Sequence, residues 1–173
     1  MAGSKQSGFG VAKNSTQAVA VGGMIAALVF VGTYFLKLPV PIANGYIHLG
    51  DGFILLGALL LGLPAIPAAA IGSMLADLLL GYATYALPTL LIKGGVAAVA
   101  VLAVRRHGLW KRSLWLVLAE LLMVAGYFVT EWLLMGYGFA GAWASVPANM
   151  VQGASGVLLA IALEPMLRRI RPR

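Results

Sequence analysis

The sequence predicts an all-α integral membrane bundle of six transmembrane helices with both termini in the cytoplasm. Three observations carry that expectation. Hydrophobic residues make up 61% of the 173 and charged residues 10%, against about 45–50% and about 25% in soluble domains. The mean hydropathy is +0.95. Ten of the twelve Lys and Arg fall in three short polar segments: Lys5 and Lys13; Arg105, Arg106, Lys111 and Arg112; and Arg168, Arg169, Arg171 and Arg173. The net charge of +7 therefore marks membrane topology and not affinity for nucleic acid. With no cysteine, neither a disulfide framework nor a thiolate metal site is available.

In chain order, residues 1–16 form a basic, Gly/Ser-rich cytoplasmic tail, flexible or a surface helix. The long apolar run behind it lacks a clear small-residue cleavage site, which argues against a signal peptide. Residues 17–167 form the membrane domain. Gln17 to Leu36 supplies about 20 residues, enough to cross a hydrocarbon core of about 30 Å. Ala18, Gly22 and Ala26 recur every four residues along it and give a face of minimal bulk. Such a face suits packing inside the chain or the close approach of another helix. Leu36 to Gly50 carries two prolines and Asn44-Gly45, so it reads as a sizeable ordered loop. Asp51 then stands near a helix N-terminus, where a carboxylate caps free N–H groups.

Gly52 to Leu63 is a short apolar segment. Gly62-Leu63-Pro64 with Pro67 makes a tight turn before Ala65 to Tyr82. Tyr82 to Pro88 turns again, and Thr89 to Val104 is the fourth span. Arg105 to Ser113 breaks the pattern, Leu114 to about Met135 is the fifth span, Gly136 to Val146 a connection, and Pro147 to Leu167 the sixth. Residues 168–173 are a basic cytoplasmic tail. The external loops of this arrangement hold only Lys37 among basic residues, so the positive-inside rule agrees with the count. Trp110 and Trp115 sit at the expected inner interface and Trp132 and Trp143 at the outer.

No phosphate loop, zinc-protease His pair, nucleophile elbow or carboxylate cluster of metal-ligand spacing is present, so this chain does not itself hydrolyse ATP. His48 and His107 both lie in loops, far apart. The informative residues are polar groups inside spans, where a charge is costly unless paired. Tyr127 and Glu131 each lie within roughly 20° of Glu120 along one helix stripe at 100° per residue. Asn149 and Gln152 share a face one turn from Pro147. Asp77 and Lys93 lie at equal depth on consecutive antiparallel spans, which predicts an ion pair between them. Lys93, Tyr127, Glu131, Asn149 and Gln152, with Tyr82, Tyr85, Trp132 and Trp143 nearby and His48 on the loop, are the expected wall of a pocket for a small polar aromatic molecule. Glu120 lies deeper and is expected to serve a polar network.

The run His48-Leu-Gly-Asp51, the Gly62-Leu-Pro64 turn, Leu75-Ala-Asp77 to Gly81, and Thr89-Leu-Leu-Ile-Lys93-Gly94 resemble the substrate-binding S components of energy-coupling factor (ECF) vitamin transporters, especially the riboflavin-transporter-like group. The resemblance covers nearly the whole chain. It implies a subunit of a prokaryotic cell membrane that binds a vitamin or precursor on the outer side, under the first loop and between the outer ends of spans four to six. It further implies docking through span one onto a transmembrane coupling subunit carrying two cytoplasmic ATPases, followed by toppling to release cargo inside. Ala18, Gly22 and Ala26 match the family's Ala-x-x-x-Ala pattern with a glycine in the middle. The shared motifs do not separate ligands. The short polar set orders them as hydroxymethylpyrimidine, pyridoxine and riboflavin, with no resident cofactor. Two readings from other classes are an intramembrane enzyme using Asp77, Glu120 or Glu131, and a homo-oligomeric channel built on the Ala18 to Ala26 face. Against the enzyme, the acids lack a His or second carboxylate at catalytic spacing.

Overall fold

Proline removes one backbone N–H and crowds the preceding turn, yet a helix flanked by other helices tolerates it. That tolerance decides several element boundaries here. The computed structural model describes residues 15–40, 45–104 and 108–169. Residues 1–14, Asn44, the Arg105, Arg106 and His107 part of the basic break, and Arg171 and Arg173 fall outside them.

The elements are α1 (Ser15–Tyr34), β1 (Lys37–Val40), β2 (Gly45–His48), α2 (Gly50–Leu61), α3 (Ala65–Leu79), α4 (Ala83–Val104), α5 (Leu109–Val129), a π turn over Thr130–Leu134, and α6 (Gly138–Arg169). The architecture is all-helical apart from one small hairpin. The expected loop of residues 36–50 contains that antiparallel hairpin, with Lys37 opposite His48 and Leu38 opposite Ile47. Pro64 and Pro67 sit at the start of α3, where a missing N–H costs nothing. Pro88 and Pro147, by contrast, lie inside helices. The fourth helix therefore starts at Ala83 and not at Thr89, and the sixth at Gly138 and not at Pro147. Glycines with φ of +72° at Gly136 and +70° at Gly138 supply the real break before α6.

Helices α1, α4, α5 with its π turn, and α6 are long and apolar enough to cross a membrane; α2 and α3 are shorter, at 12 and 15 residues. The bundle closes in the order α1, α3, α4, α5, α6, α2, with α2 also reaching α4 across the middle. Helix α2 is apolar all round and buried along nearly its whole length, as expected of a central helix. Ile54, Leu55, Val29, Val96, Leu116 and Met123 anchor the core around it.

Close packing of α1 on α3 needs a glycine. A Cβ on Gly72 would stand 2.5 Å from the Ala26 carbonyl oxygen. Gly72→Ala is expected to push the two helices apart and cost about 1–3 kcal/mol, read as a lower melting temperature in detergent. The same contact half-covers the stripe expected to meet the coupling subunit. Ala18, Gly22 and Ala26 lie on the half-buried side of α1, with Ile25 and Val29 between them, while Ala20, Gly23 and Ala27 form the outward small-residue face. A Cβ on Gly23 would meet nothing within 4 Å. Helix α1 carries two small-residue stripes, so spacing alone does not tell which faces inward.

Candidate functional site

The hairpin lies over one end of the bundle because Leu49 N–H bonds the Leu36 carbonyl at 3.2 Å and His48 N–H bonds Gln152 Oε1 at 3.2 Å. Beneath it is a cavity of about 350 Å³. His48, Tyr85, Lys93, Tyr127, Glu131, Asn149 and Gln152 all border it, as does Tyr82. Trp132 and Trp143 do not. They are 41% and 53% exposed and pack with Phe128 and Phe139 on the outer surface of the bundle. This position removes both from the pocket wall.

The floor is a buried ion pair between unexpected partners. Lys93 Nζ bonds Asp51 Oδ1 at 2.6 Å, both side chains essentially inaccessible. Gln152 Nε2 donates to Asp51 Oδ2 at 2.7 Å, so three elements meet at one carboxylate. Asp51 is therefore no helix cap: Leu49 holds that position, with no side-chain cap bond. Asp77, expected to pair with Lys93, instead accepts from Tyr46 Oη at 2.8 Å. Topology sets this pairing, because α2 crosses the middle of the bundle to touch α4, and the acid that meets Lys93 comes from a helix not next to α4 in the chain.

Elsewhere along the cavity wall, Tyr85 Oη donates to Glu131 Oε1 at 3.2 Å, and Ser145 Oγ donates to Glu131 Oε2. Thr89 and Tyr127 share a hydroxyl contact of 3.0 Å. Glu131 sits in the π turn, where Met135 N–H reaches back five residues to Thr130. Such turns recur at functional sites, and here the turn holds Glu131 in the cavity wall. Glu120 shares its helix but not its surroundings. It is buried deeper, against Gly153, and both its oxygens lack a hydrogen-bond partner.

Two groups on the hairpin have shifted acidities. Burial and then the neighbouring Asp77 carboxylate push the Tyr46 phenol up, which keeps it a proton donor to Asp77. Burial lowers the His48 imidazole to about 4, with Lys93 acting in the same direction and Asp51 opposing it. Its Nδ1 accepts from Gly50 N–H at 3.1 Å, consistent with a neutral ring. A folded value below the ordinary 6.5 means that stability is complete above pH 6.5 and lost as pH falls towards 4. The loss should approach about 3 kcal/mol. The His48 ring resonances are expected not to titrate between pH 7 and 5, while the melting temperature falls below pH 6.

The sequence missed Thr33, Ser73, Tyr46, Tyr137 and Ser145, which also border the cavity. Ser145 was legible: with α6 continued through Pro147, Ser145, Asn149 and Gln152 form one polar stripe at helical spacing. Thr33 and Ser73 gave no signal, being single hydroxyls in apolar helices. Both are at most 2% exposed, and neither hydroxyl has a partner.

A polar and aromatic cavity at one end of an apolar helical bundle is the arrangement of a ligand-binding membrane protein. Residues 13–169 match the family described as ECF-type riboflavin transporter, S component. The chain belongs to that family. It is therefore a multi-pass membrane transport protein and not an enzyme, which sets aside the catalytic reading of Asp77, Glu120 and Glu131. An uncharacterized protein encoded in the gap 3′ region of Pyrococcus woesei is 35% identical over 144 residues, covering 82% of this chain and 95% of that one. The thiamine precursor transporter HmpT of Lactococcus lactis subsp. cremoris (strain MG1363) is 36% identical over 101 residues, covering 56% of this chain and 54% of its own. The solved structure of the S component of a bacterial ECF transporter superimposes with a TM-score of 0.76 at 19% identity, over 92% of this chain and 100% of the other, and so shares the fold.

Proposed function

We propose that the chain crosses the membrane six times with both termini in the cytoplasm, and takes a small vitamin or vitamin precursor into the cavity from the outer side. It delivers this cargo inward by docking on a transmembrane coupling subunit that carries two cytoplasmic ATPases. The observation that carries the reading is the cavity itself, roofed by the hairpin at the end of the bundle away from the basic Lys111 and Arg112. That placement agrees with the positive-inside rule. At about 350 Å³ the cavity lies at the small end of ligand sites, which run from about 300 to 1,000 Å³. Small size and the likeness to a thiamine precursor transporter both favour hydroxymethylpyrimidine, ahead of pyridoxine and of riboflavin, the largest of the three. The outward Ala20, Gly23 and Ala27 face of α1 is the proposed contact for the coupling subunit.

The test is thermal stabilisation of the purified protein by each compound, with mass spectrometry of small molecules that copurify. Saturation at 100 times the dissociation constant should add about 2.7 kcal/mol of stability. Stabilisation by riboflavin alone would replace the ligand and keep the reading; response to no vitamin, with nothing copurifying, would end it. Asn149→Ala should weaken binding of whichever compound stabilises by about 1–3 kcal/mol, measured by titration calorimetry. The absence of cysteine makes topology directly testable, since single cysteines placed at Lys37 and Lys111 should be labelled from opposite sides of the membrane.

A further inference from the structure

The charges around the cavity do not balance. Lys93 is the cation among its described lining residues, and Asp51 takes that charge at 2.6 Å. Asp77 and Glu131 remain, and each is served by hydroxyls: Tyr46 donates to Asp77, and Tyr85 and Ser145 donate to Glu131. Among the described residues the ion pairs are Lys93 with Asp51 and, elsewhere, Arg112 with Glu164. His48, the other ionisable base facing the cavity, is held neutral by burial and adds no positive charge.

Between the two carboxyl groups runs a series of tyrosines. Ring centroids are 5.3 Å apart from Tyr46 to Tyr82 and 6.2 Å from Tyr82 to Tyr85. Acids flank this aromatic series, because Tyr46 bonds Asp77 and Tyr85 bonds Glu131. A phenol that donates to a carboxylate is electron-rich at its ring face, which strengthens its attraction for a cation. The same cavity also presents the buried, unpartnered hydroxyls of Thr33 and Ser73, polar groups that lack a protein partner.

We propose that the cavity binds a weakly basic nitrogen heterocycle in its protonated, cationic form, with the charged ring against the tyrosines between Asp77 and Glu131. This rests on the ligand-binding reading above and deepens it by assigning the charge of the ligand. The proton comes from the outer solvent to a ring nitrogen of the heterocycle, and no protein group has to supply it. Charge then selects against an uncharged ring of the same shape. Lys93 does not oppose the cation, since its own ammonium is neutralised by Asp51 and sits 5.3 Å from the Tyr127 centroid, on the floor.

The test uses the intact protein in detergent and three probes: hydroxymethylpyrimidine, its ring-N-methylated cation, and the carbocyclic isostere in which both ring nitrogens are CH. The fixed cation should bind about tenfold or more tighter than the carbocycle, with little dependence on pH above 6. Affinity for the parent pyrimidine should fall as pH rises past the point where its ring loses the proton. Asp77→Asn and Glu131→Gln, which keep size and an acceptor oxygen, should each weaken the cation and leave the carbocycle unchanged. Equal affinity for cation and carbocycle, or equal losses for both in the two variants, would overturn the assignment of charge while leaving a ligand-binding protein. Binding of none of the probes, together with no stabilisation by any vitamin, would overturn both.

Discussion

Lys93→Met is expected to lower stability by about 3–5 kcal/mol, because it leaves the Asp51 carboxylate buried without its cation. For a chain of this size that corresponds to a fall in melting temperature of roughly 10 °C. Asp51→Asn alone strands the ammonium in the same way. The double variant should recover most of the loss, since the amide oxygen introduced at position 51 still accepts from Gln152 and no net charge remains in the core. Melting curves for the four proteins in one detergent complete the cycle. If the two single losses simply add in the double variant, the 2.6 Å contact is not the source of the effect.

Gly23→Leu is expected to leave vitamin binding and melting temperature as they are and to abolish uptake, together with recovery of the ATPase complex in a pull-down. Its side chain enters open space on the outward face of α1, so the fold has no reason to respond. Gly22→Leu makes the contrasting case. A Cβ there already reaches 3.9 Å from the Pro64 carbonyl oxygen, and a leucine would press on the start of α3. That variant should lose stability and binding along with uptake. Full transport by Gly23→Leu would move the coupling contact off this face.

Much of the architecture is legible in the sequence because the apolar runs are long and the loops short. Each of the six helices is anticipated, several with their breaks at the right glycines. The misplaced starts share one cause. Taking Pro88 and Pro147 as boundaries applies a rule suited to helices whose freed carbonyls face water. In this bundle both prolines lie within helices of 22 and 32 residues. The site is legible where polar residues stand out against lipid-compatible neighbours: Lys93, Tyr127, Glu131, Asn149 and Gln152 all border the cavity. Pairing is not legible. Which acid meets Lys93 depends on α2 crossing the middle of the bundle, and a list of depths along consecutive helices carries no such information. Tyr46 and Thr33 are invisible for a related reason, being brought to the cavity by the hairpin and by the inward turn of α1.

The shortness of α3 has a consequence for the surrounding bilayer. Its 15 residues span about 22 Å, while the neighbouring α1 has 20 residues and spans about 30 Å. Ile71, Leu75, Leu78 and Leu79 nonetheless point outward from α3. If α3 lies across the membrane as proposed, lipid beside it must thin by several ångströms relative to lipid beside α1. Such mismatch costs fractions of a kcal/mol per ångström. A protein that covers the α1 and α3 flank removes that thinned lipid, so part of the drive for association would come from the bilayer relaxing and not from the contacts made.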